Sequence, residues 1–230
     1  MNGAEVLLWL RAGRGLEGAT LAALELRGAA LQGAKLAHAK LAEVRLQGAN
    51  LAGSELAGVE AIGCSFQEAV LDDADLSGAR FVLTSLRGAA LRRARLTRAM
   101  LPGADLSGAD LARADLSQAV LGGARLDGAN LEGANLTEAK LDGASLVGVD
   151  LRGAVLTGAS LVRCDLSRAA LRDAAWTGAN LAEAKLVGAD LGGATLERVT
   201  LVRADLRGAV LPKALVDCIC DGIRLGAPDL

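Results

Sequence analysis

The chain has 230 residues, 52% of them apolar, with 25 basic and 27 acidic side chains and a net charge of −2. That balance gives no basic footprint for direct binding of nucleic acid, and a single His with no Tyr leaves little for acid–base or nucleophilic chemistry. Despite the apolar content, the longest strongly apolar run is Val6–Leu10, far short of the roughly 20 residues a transmembrane helix needs. No basic segment leads into a signal-peptide core, so a cytoplasmic protein without membrane contact is expected.

Residues 1–15 are the first predicted element, a helical cap. The run Gly3-Ala4-Glu5-Val6-Leu7-Leu8-Trp9-Leu10-Arg11-Ala12 ends at Gly13, a helix stop. Its Leu and Trp side chains are expected to lie over the core that begins at residue 16.

From Leu16 to Leu211 every fifth residue belongs to one apolar lattice, with 36 Leu in 40 positions and Ala61, Phe66, Phe81 and Trp176 as the exceptions. No position slips, so residues 16–215 form one uninterrupted repeat domain. Two residues before each lattice position sits a small residue. From Ala19 to Ala209 it is Ala at 30 of 39 places, and its substitutes (Leu24, Val44, Ser54, Val59, Cys64, Thr84, Val149, Cys164 and Val199) are small or aliphatic. A period of five fits neither regular element: in an α-helix it advances about 140°, and in a strand it alternates faces. Every Leu stays inside only if the chain bends once per repeat. Gly stands two residues after the lattice position at 22 of 40 places and supplies the permissive backbone for that bend. Repeated bending makes a solenoid whose units stack rather than form a separate globular core.

The runs Ala104-Asp105-Leu106-Ser107-Gly108-Ala109-Asp110-Leu111 and Gly128-Ala129-Asn130-Leu131-Glu132-Gly133-Ala134-Asn135-Leu136 resemble the pentapeptide-repeat proteins, whose unit reads Ala, Asp or Asn, Leu and two variable residues. The resemblance covers residues 16–215. It implies an all-β fold, a right-handed, quadrilateral parallel β-helix with four repeats per coil. Forty repeats then give about ten coils and, at about 4.8 Å per rung, a rod on the order of 48 Å long.

A coil of this kind cannot stand alone. Burying a Leu yields about 1.5–3 kcal/mol, whereas ordering each of the five residues in its repeat costs about 1–2 kcal/mol. Stability comes from the next coil, and both ends need covers. After the array, Pro212 to Gly222 has a Pro at a helix start and a Gly at its stop, so residues 216–230 are expected to form a second helical cap or, as the resemblance also implies, a dimerisation tail. Cys218 and Cys220 form a lone C-x-C there; zinc would need ligands from elsewhere, and the pair is expected to be structural. Cys64 and Cys164 are core fillers five coils apart. Within the core, Ala61 is expected directly beneath Phe81, one side chain's volume filling the other's absence. The indole N–H of Trp176 will need an acceptor.

Two surface features break an otherwise mixed-charge exterior, in which vertical neighbours such as Glu25 and Arg45, Asp105 and Arg125, or Asp165, Lys185 and Asp205 alternate in sign. The first is a belt of Arg80, Arg87, Arg92, Arg93, Arg95 and Arg98 directly after Glu68, Asp72, Asp73 and Asp75. Either the bands neutralise one another, as Asp72 and Asp73 beneath Arg92 and Arg93 would, or Arg87, Arg92, Arg93, Arg95 and Arg98 form an anion patch. The second is an apolar strip on the side holding Leu21, Phe81 and Leu101, with Ile62, Val82, Leu83, Met100, Pro102, Val120, Val162 and Val202 facing outward. Single aliphatics on β-surfaces are ordinary, but the clustering of Val82, Leu83, Met100, Pro102 and Val120 marks a candidate interface for a protein partner or a second copy.

No catalytic, cofactor-binding or metal site is assigned, so an enzyme is not expected. The leading expectation is a non-catalytic protein-interaction scaffold. The resemblance also implies a second class, since some pentapeptide-repeat proteins guard bacterial DNA topoisomerases by imitating DNA, although no side of this rod is acidic. A third class, an adaptor of a bacterial secretion system, rests on the short leading helix.

Overall fold

The computed structural model describes residues 3–226; the outermost parts of the expected terminal segments, residues 1–2 and 227–230, lie outside it. The chain opens with helix α1 (Gly3–Arg11) and then runs as short bridged rungs. Six of these are long enough to be strands: β1 (Thr20–Ala22), β2 (Lys40–Ala42), β3 (Glu60–Ile62), β4 (Arg80–Val82), β5 (Leu196–Glu197) and β6 (Leu215–Val216). Strands β1 to β4 stack in parallel and in order, with Leu21 over Leu41, then Ala61, then Phe81. Isolated parallel bridges carry the same twenty-residue register onward, from Glu25 with Arg45 to Asp190 with Val210. Each turn of the parallel β-helix therefore contains four five-residue units.

The lattice residues fill the inside as their period requires. From Leu51 to Leu201 every one is at most 2% exposed, including Phe66, Phe81 and Trp176. Ala61 pairs directly with Phe81, so the small and large side chains are vertical neighbours, and the Phe81 ring meets Phe66 edge-on at 5.8 Å. The Trp176 indole N–H finds no acceptor among the described residues, contrary to the expectation that burial would supply one.

Every repeat turns through a left-handed residue two places after the lattice position. The exception is Lys213, where the phase slips. Most corners are closed by a bond from the N–H of the inward small residue to the lattice carbonyl, as from Ala99 to Leu96 at 2.9 Å. At the ends of β1 to β4 that bond is missing and the corner is extended. The inward residues there are Leu24, Val44, Cys64 and Thr84, and the two other extended corners carry Val199 and Cys218. Each is bulkier than Ala. Size alone does not decide it, since Ser54, Val59, Val149 and Cys164 keep the turn with N···O distances of 3.1–3.2 Å. The extended corners on β1 to β4 also stack on one another. The buried hydroxyl of Thr84 donates to the carbonyls of Ala61 and Val82, both at 3.1 Å, so its polarity is compensated.

Helix α1 packs against the core with a different face inward from the one expected. Val6 is fully buried and Leu7 and Leu10 pack on the core, whereas Leu8 and Trp9 are 68% and 39% exposed. Trp9 donates its indole N–H to the Gly15 carbonyl at 3.1 Å and carries the Arg14 guanidinium over its ring. The C-terminal segment does not form the expected helix. After Leu211 the chain drops one residue of register and continues as a further rung, with Leu196 over Leu215, Thr200 over Ile219 and Asp205 over Arg224. Pro212 was a misleading helix signal because it marks the slip. Cys218 and Cys220 alternate with outward residues as the inward pair of that rung, and the Cys218 thiol donates to the Leu196 carbonyl at 3.4 Å.

Candidate interaction surface

The exterior is built from the three residues of each repeat that point away from the core, so any site is a pattern across rungs. On the face of β1 to β4 the outward residues after the lattice are Ala22, Ala42, Ile62 and Val82, in vertical register. One rung further, Arg80 pairs with Met100, and Met100 with Val120. The structure thus brings Ile62, Val82, Leu83, Met100, Pro102 and Val120 onto adjacent rungs of one face. Ile62, Val82 and Met100 are 50%, 38% and 41% exposed, and Leu83 is 87% exposed. Pro102 is exposed and Val120 half-buried. The strip then breaks: Val120 pairs with Lys140, and Asp142 on that rung bonds forward to the Ser160 hydroxyl and the Val162 N–H. Val162 and Val202 are half-buried single side chains beyond the break, outside the patch.

Leu83 stands apart from its equivalents. Its φ is +50°, in the left-handed region, where the other non-Gly residues two places after the lattice are Ala, His, Gln or charged. That backbone costs an L residue about 1–2 kcal/mol, and the side chain recovers little of it at such exposure. A large aliphatic residue that is strained and solvent-exposed has no stabilising reason to be there.

The arginine belt resolves largely into ion pairs. Arg93 grips Asp73 through two hydrogen bonds of 2.7 and 2.6 Å; this hydrogen bond, more than the charge, holds the Asp73 carboxyl below its ordinary range. Arg92 does not pair with Asp72 through its side chain. It reaches up to Asp110 at 2.6 Å, while Asp72 accepts the Arg92 backbone N–H at 2.9 Å. Arg95 lies 3.9 Å from Asp75, and Arg87 sits close enough to Asp105 to help lower its pKa. Arg98 donates only to the Gln118 amide oxygen, at 2.7 Å, and Arg80 has no ion-pair partner among the described residues. Of the belt arginines with no carboxylate within 4 Å, Arg80 and Arg98 border the apolar patch, Arg80 beneath Met100 and Arg98 in a groove shared with Val120, Gln118, Glu138 and Lys140. Arg80 was visible in the sequence as one of six; what singles it out, that its side chain makes no ion pair although Glu60 stands in register beneath it, needs the structure.

Elsewhere the vertical ion pairs form selectively. Glu25 bonds Arg45, and Lys185 lies 3.5 Å from Asp165. Arg125 turns to Asp127 at 3.8 Å, and Asp205 is held by Arg207 at 2.7 Å, within its own repeat rather than by Lys185. A second apolar region appears where the last rung ends: Leu211, Leu215, Val216, Ile219 and Leu225 are 39–54% exposed. Among the described residues no group of three or more His, Cys, Asp or Glu is placed to hold a metal, and no helix is long and apolar enough to cross a membrane.

These features define a solenoid whose distinguishing chemistry lies on its outer faces. The pentapeptide-repeat family model matches the chain in eight copies within residues 25–175 and 177–212. The chain belongs to the pentapeptide-repeat family, and its β-helix is right-handed as in that family's solved members. It is similar to HetL, a pentapeptide-repeat protein involved in heterocyst differentiation regulation from the cyanobacterium Nostoc sp. strain PCC 7120. Identity is 32% over all of this chain and 98% of that one, with a TM-score of 0.58. It also aligns with QnrB1, a plasmid-mediated fluoroquinolone resistance protein, at 21% identity over 90% of this chain and 93% of that one, with a TM-score of 0.43. No curated protein matches significantly. Pentapeptide-repeat proteins are generally structural or interaction proteins rather than enzymes.

Proposed function

We propose that the protein is a non-catalytic interaction scaffold of the cytoplasm: a rod of about ten four-sided coils over residues 16–215, capped by residues 1–15 and closed by a tail at 216–230, that binds a protein partner through the patch of Ile62, Val82, Leu83, Met100, Pro102 and Val120. The observation that carries this reading is Leu83, strained and 87% exposed beside other exposed aliphatics on adjacent rungs. Replacing both Leu83 and Met100 by Glu tests it. The double variant keeps the wild-type β-helix circular dichroism and loses partner binding in a pull-down from the native host and any self-association through this face in sedimentation. A monomeric wild type whose host partner binds the double variant equally well sinks the reading. The exposed residues of the last rung offer a separate contact for a second copy; Ile219→Asp would dissociate a dimer formed there and leave one formed through the patch intact.

A DNA-mimicking guard of a topoisomerase is the second reading, supported by Asp105, Asp110, Asp115, Asp150, Asp165 and Asp190 recurring in the upper half of the rod. It ranks behind because most of these carboxylates are already engaged: Asp110 by Arg92, Asp150 by Arg152, Asp165 by Lys185 and Asp190 by Arg172. A face neutralised in this way competes poorly for a basic groove. A supercoiling assay with purified bacterial gyrase decides between the readings; salt-sensitive inhibition, or protection from a quinolone, at sub-micromolar protein would reverse their order.

A further inference from the structure

The patch also specifies what it binds. Its height is three rung spacings, from Ile62 to Val120, or on the order of 14 Å at about 4.8 Å per rung. A strip of that height on one face falls well short of the roughly 800 Å² that each partner buries in a stable association of two folded surfaces. It suits a single extended strand or two turns of helix. The rim supplies the second constraint. Within the belt, Arg92, Arg93 and Arg95 lie within 4 Å of carboxylates; Arg80, Arg87 and Arg98 do not, and of these Arg80 and Arg98 lie beside Met100 and Val120, where Glu60, in register below Arg80, makes no ion pair and Glu138, in the Arg98 groove, accepts from Gln118 instead. An arginine without a carboxylate at the edge of an apolar surface is a ready partner for one, and Arg binds carboxylates through a bidentate fork.

We propose that the patch seats a short apolar segment of a partner protein carrying a carboxylate, its aliphatic or aromatic side chains on Val82, Leu83, Met100 and Val120 and its carboxylate on Arg80 and Arg98. This rests on the interface reading above and adds the size and charge of the occupant. The apolar contacts supply most of the affinity. The arginine pair selects acidic over basic segments and sets orientation.

A phage-displayed library of random twelve-residue peptides, selected on the wild-type protein, provides the probe, and the enriched sequence is then synthesised and titrated. The expected consensus combines two or more large apolar residues with Asp or Glu. Leu83→Gly weakens its binding by about tenfold or more, as loss of a central apolar anchor does. Because Gly is the commonest residue at the equivalent corners, this variant keeps the fold. The pair Arg80→Gln and Arg98→Gln weakens binding about tenfold, and raising the salt weakens the wild type more than that pair variant. Acid-free or basic peptides whose binding ignores the arginine replacements overturn the carboxylate assignment while leaving the patch an interface. Peptides that bind Leu83→Gly as tightly as wild type overturn both, and failure to enrich any peptide on the wild type overturns the proposal.

Discussion

Leu83→Gly separates a functional surface residue from a structural one by stability as well as by binding. At φ +50° the Leu backbone costs about 1–2 kcal/mol relative to an ordinary conformation, a cost that Gly does not carry. Against this, Gly makes the unfolded chain more flexible, at about 0.5–1 kcal/mol. The side chain, 87% exposed, gives up only the small share of its burial energy already realised, about 0.2–0.4 kcal/mol if full burial of a Leu yields about 1.5–3. The sum lies between a loss of about 0.4 and a gain of about 1.3 kcal/mol, centred on a gain near 0.5. Leu83→Ala keeps the strain and loses the contact, so it should be less stable than Leu83→Gly by about 0.7 kcal/mol. Urea unfolding followed by circular dichroism measures both, with midpoints compared at unchanged slope. If Leu83→Gly lowers stability by more than about 1 kcal/mol, Leu83 packs in a way its exposure denies. Its strain then ceases to argue for function.

Trp176→Phe removes a buried N–H without an acceptor, worth about 1–3 kcal/mol, and leaves lost ring contacts and a small void costing a similar amount, so thermal unfolding should move by less than about 1 kcal/mol in either direction. A loss above about 2.5 kcal/mol would mean that an internal water satisfies the indole. Leu136→Asp puts a charge among fully buried Leu residues and should abolish cooperative folding, whereas an extra residue after Gly133 can bulge at an exposed corner and cost little; equal effects on the unfolding midpoint would contradict a packed lattice. Hydrogen bonds from Arg152, Arg172 and Arg207 lower the carboxyl pKa values of Asp150, Asp190 and Asp205. Since the folded values lie below the unfolded value of about 3.9, their stabilisation is complete above that pH and is lost as pH falls through the depressed folded values. The urea midpoint should therefore drop between pH 5 and pH 2, and a midpoint constant over that range would show these bonds to be energetically silent.

The inside of this molecule could be read directly from the sequence because one geometric rule governs it. A period of five with a left-handed residue at each bend admits one class of coil, and the lattice from Leu51 to Leu201 obeys it without exception. The ends could not be read the same way. Pro212 and Gly222 carry helix signals, but the segment between them also alternates inward and outward, and once register slips by one residue its Cys218 and Cys220 fall on the core side. Pairing with an existing edge then outweighs a short helix with nothing of its own to bury. At the first coil, nine residues of helix hold too many apolar side chains for one face, so sequence alone could not say that Val6 would be buried and Trp9 exposed. Ion pairing was half legible: the register placed Arg92 above Asp72, yet a long guanidinium also reaches the next rung, where it bonds Asp110 at 2.6 Å while Asp72 accepts the Arg92 backbone N–H.

The apolar patch and the irregular corners fall on the same face for a connected reason. An Ala in the inward slot lets the chain close a tight turn and leave the strand after the lattice residue. At Cys64 and Thr84 that turn is absent, so β3 and β4 run one residue further and set Ile62 over Val82 as a true cross-strand pair. One rung up, Ala104 restores the turn, with its N–H bonded to the Leu101 carbonyl at 3.1 Å, and the strand character ends where Pro102 begins. The patch therefore straddles a step between two backbone geometries, with Leu83 at its corner. Side chains that never touch the outer surface thus fix the shape on which the exposed aliphatics are presented. The geometry of the proposed interface therefore depends on the core as much as on the exterior.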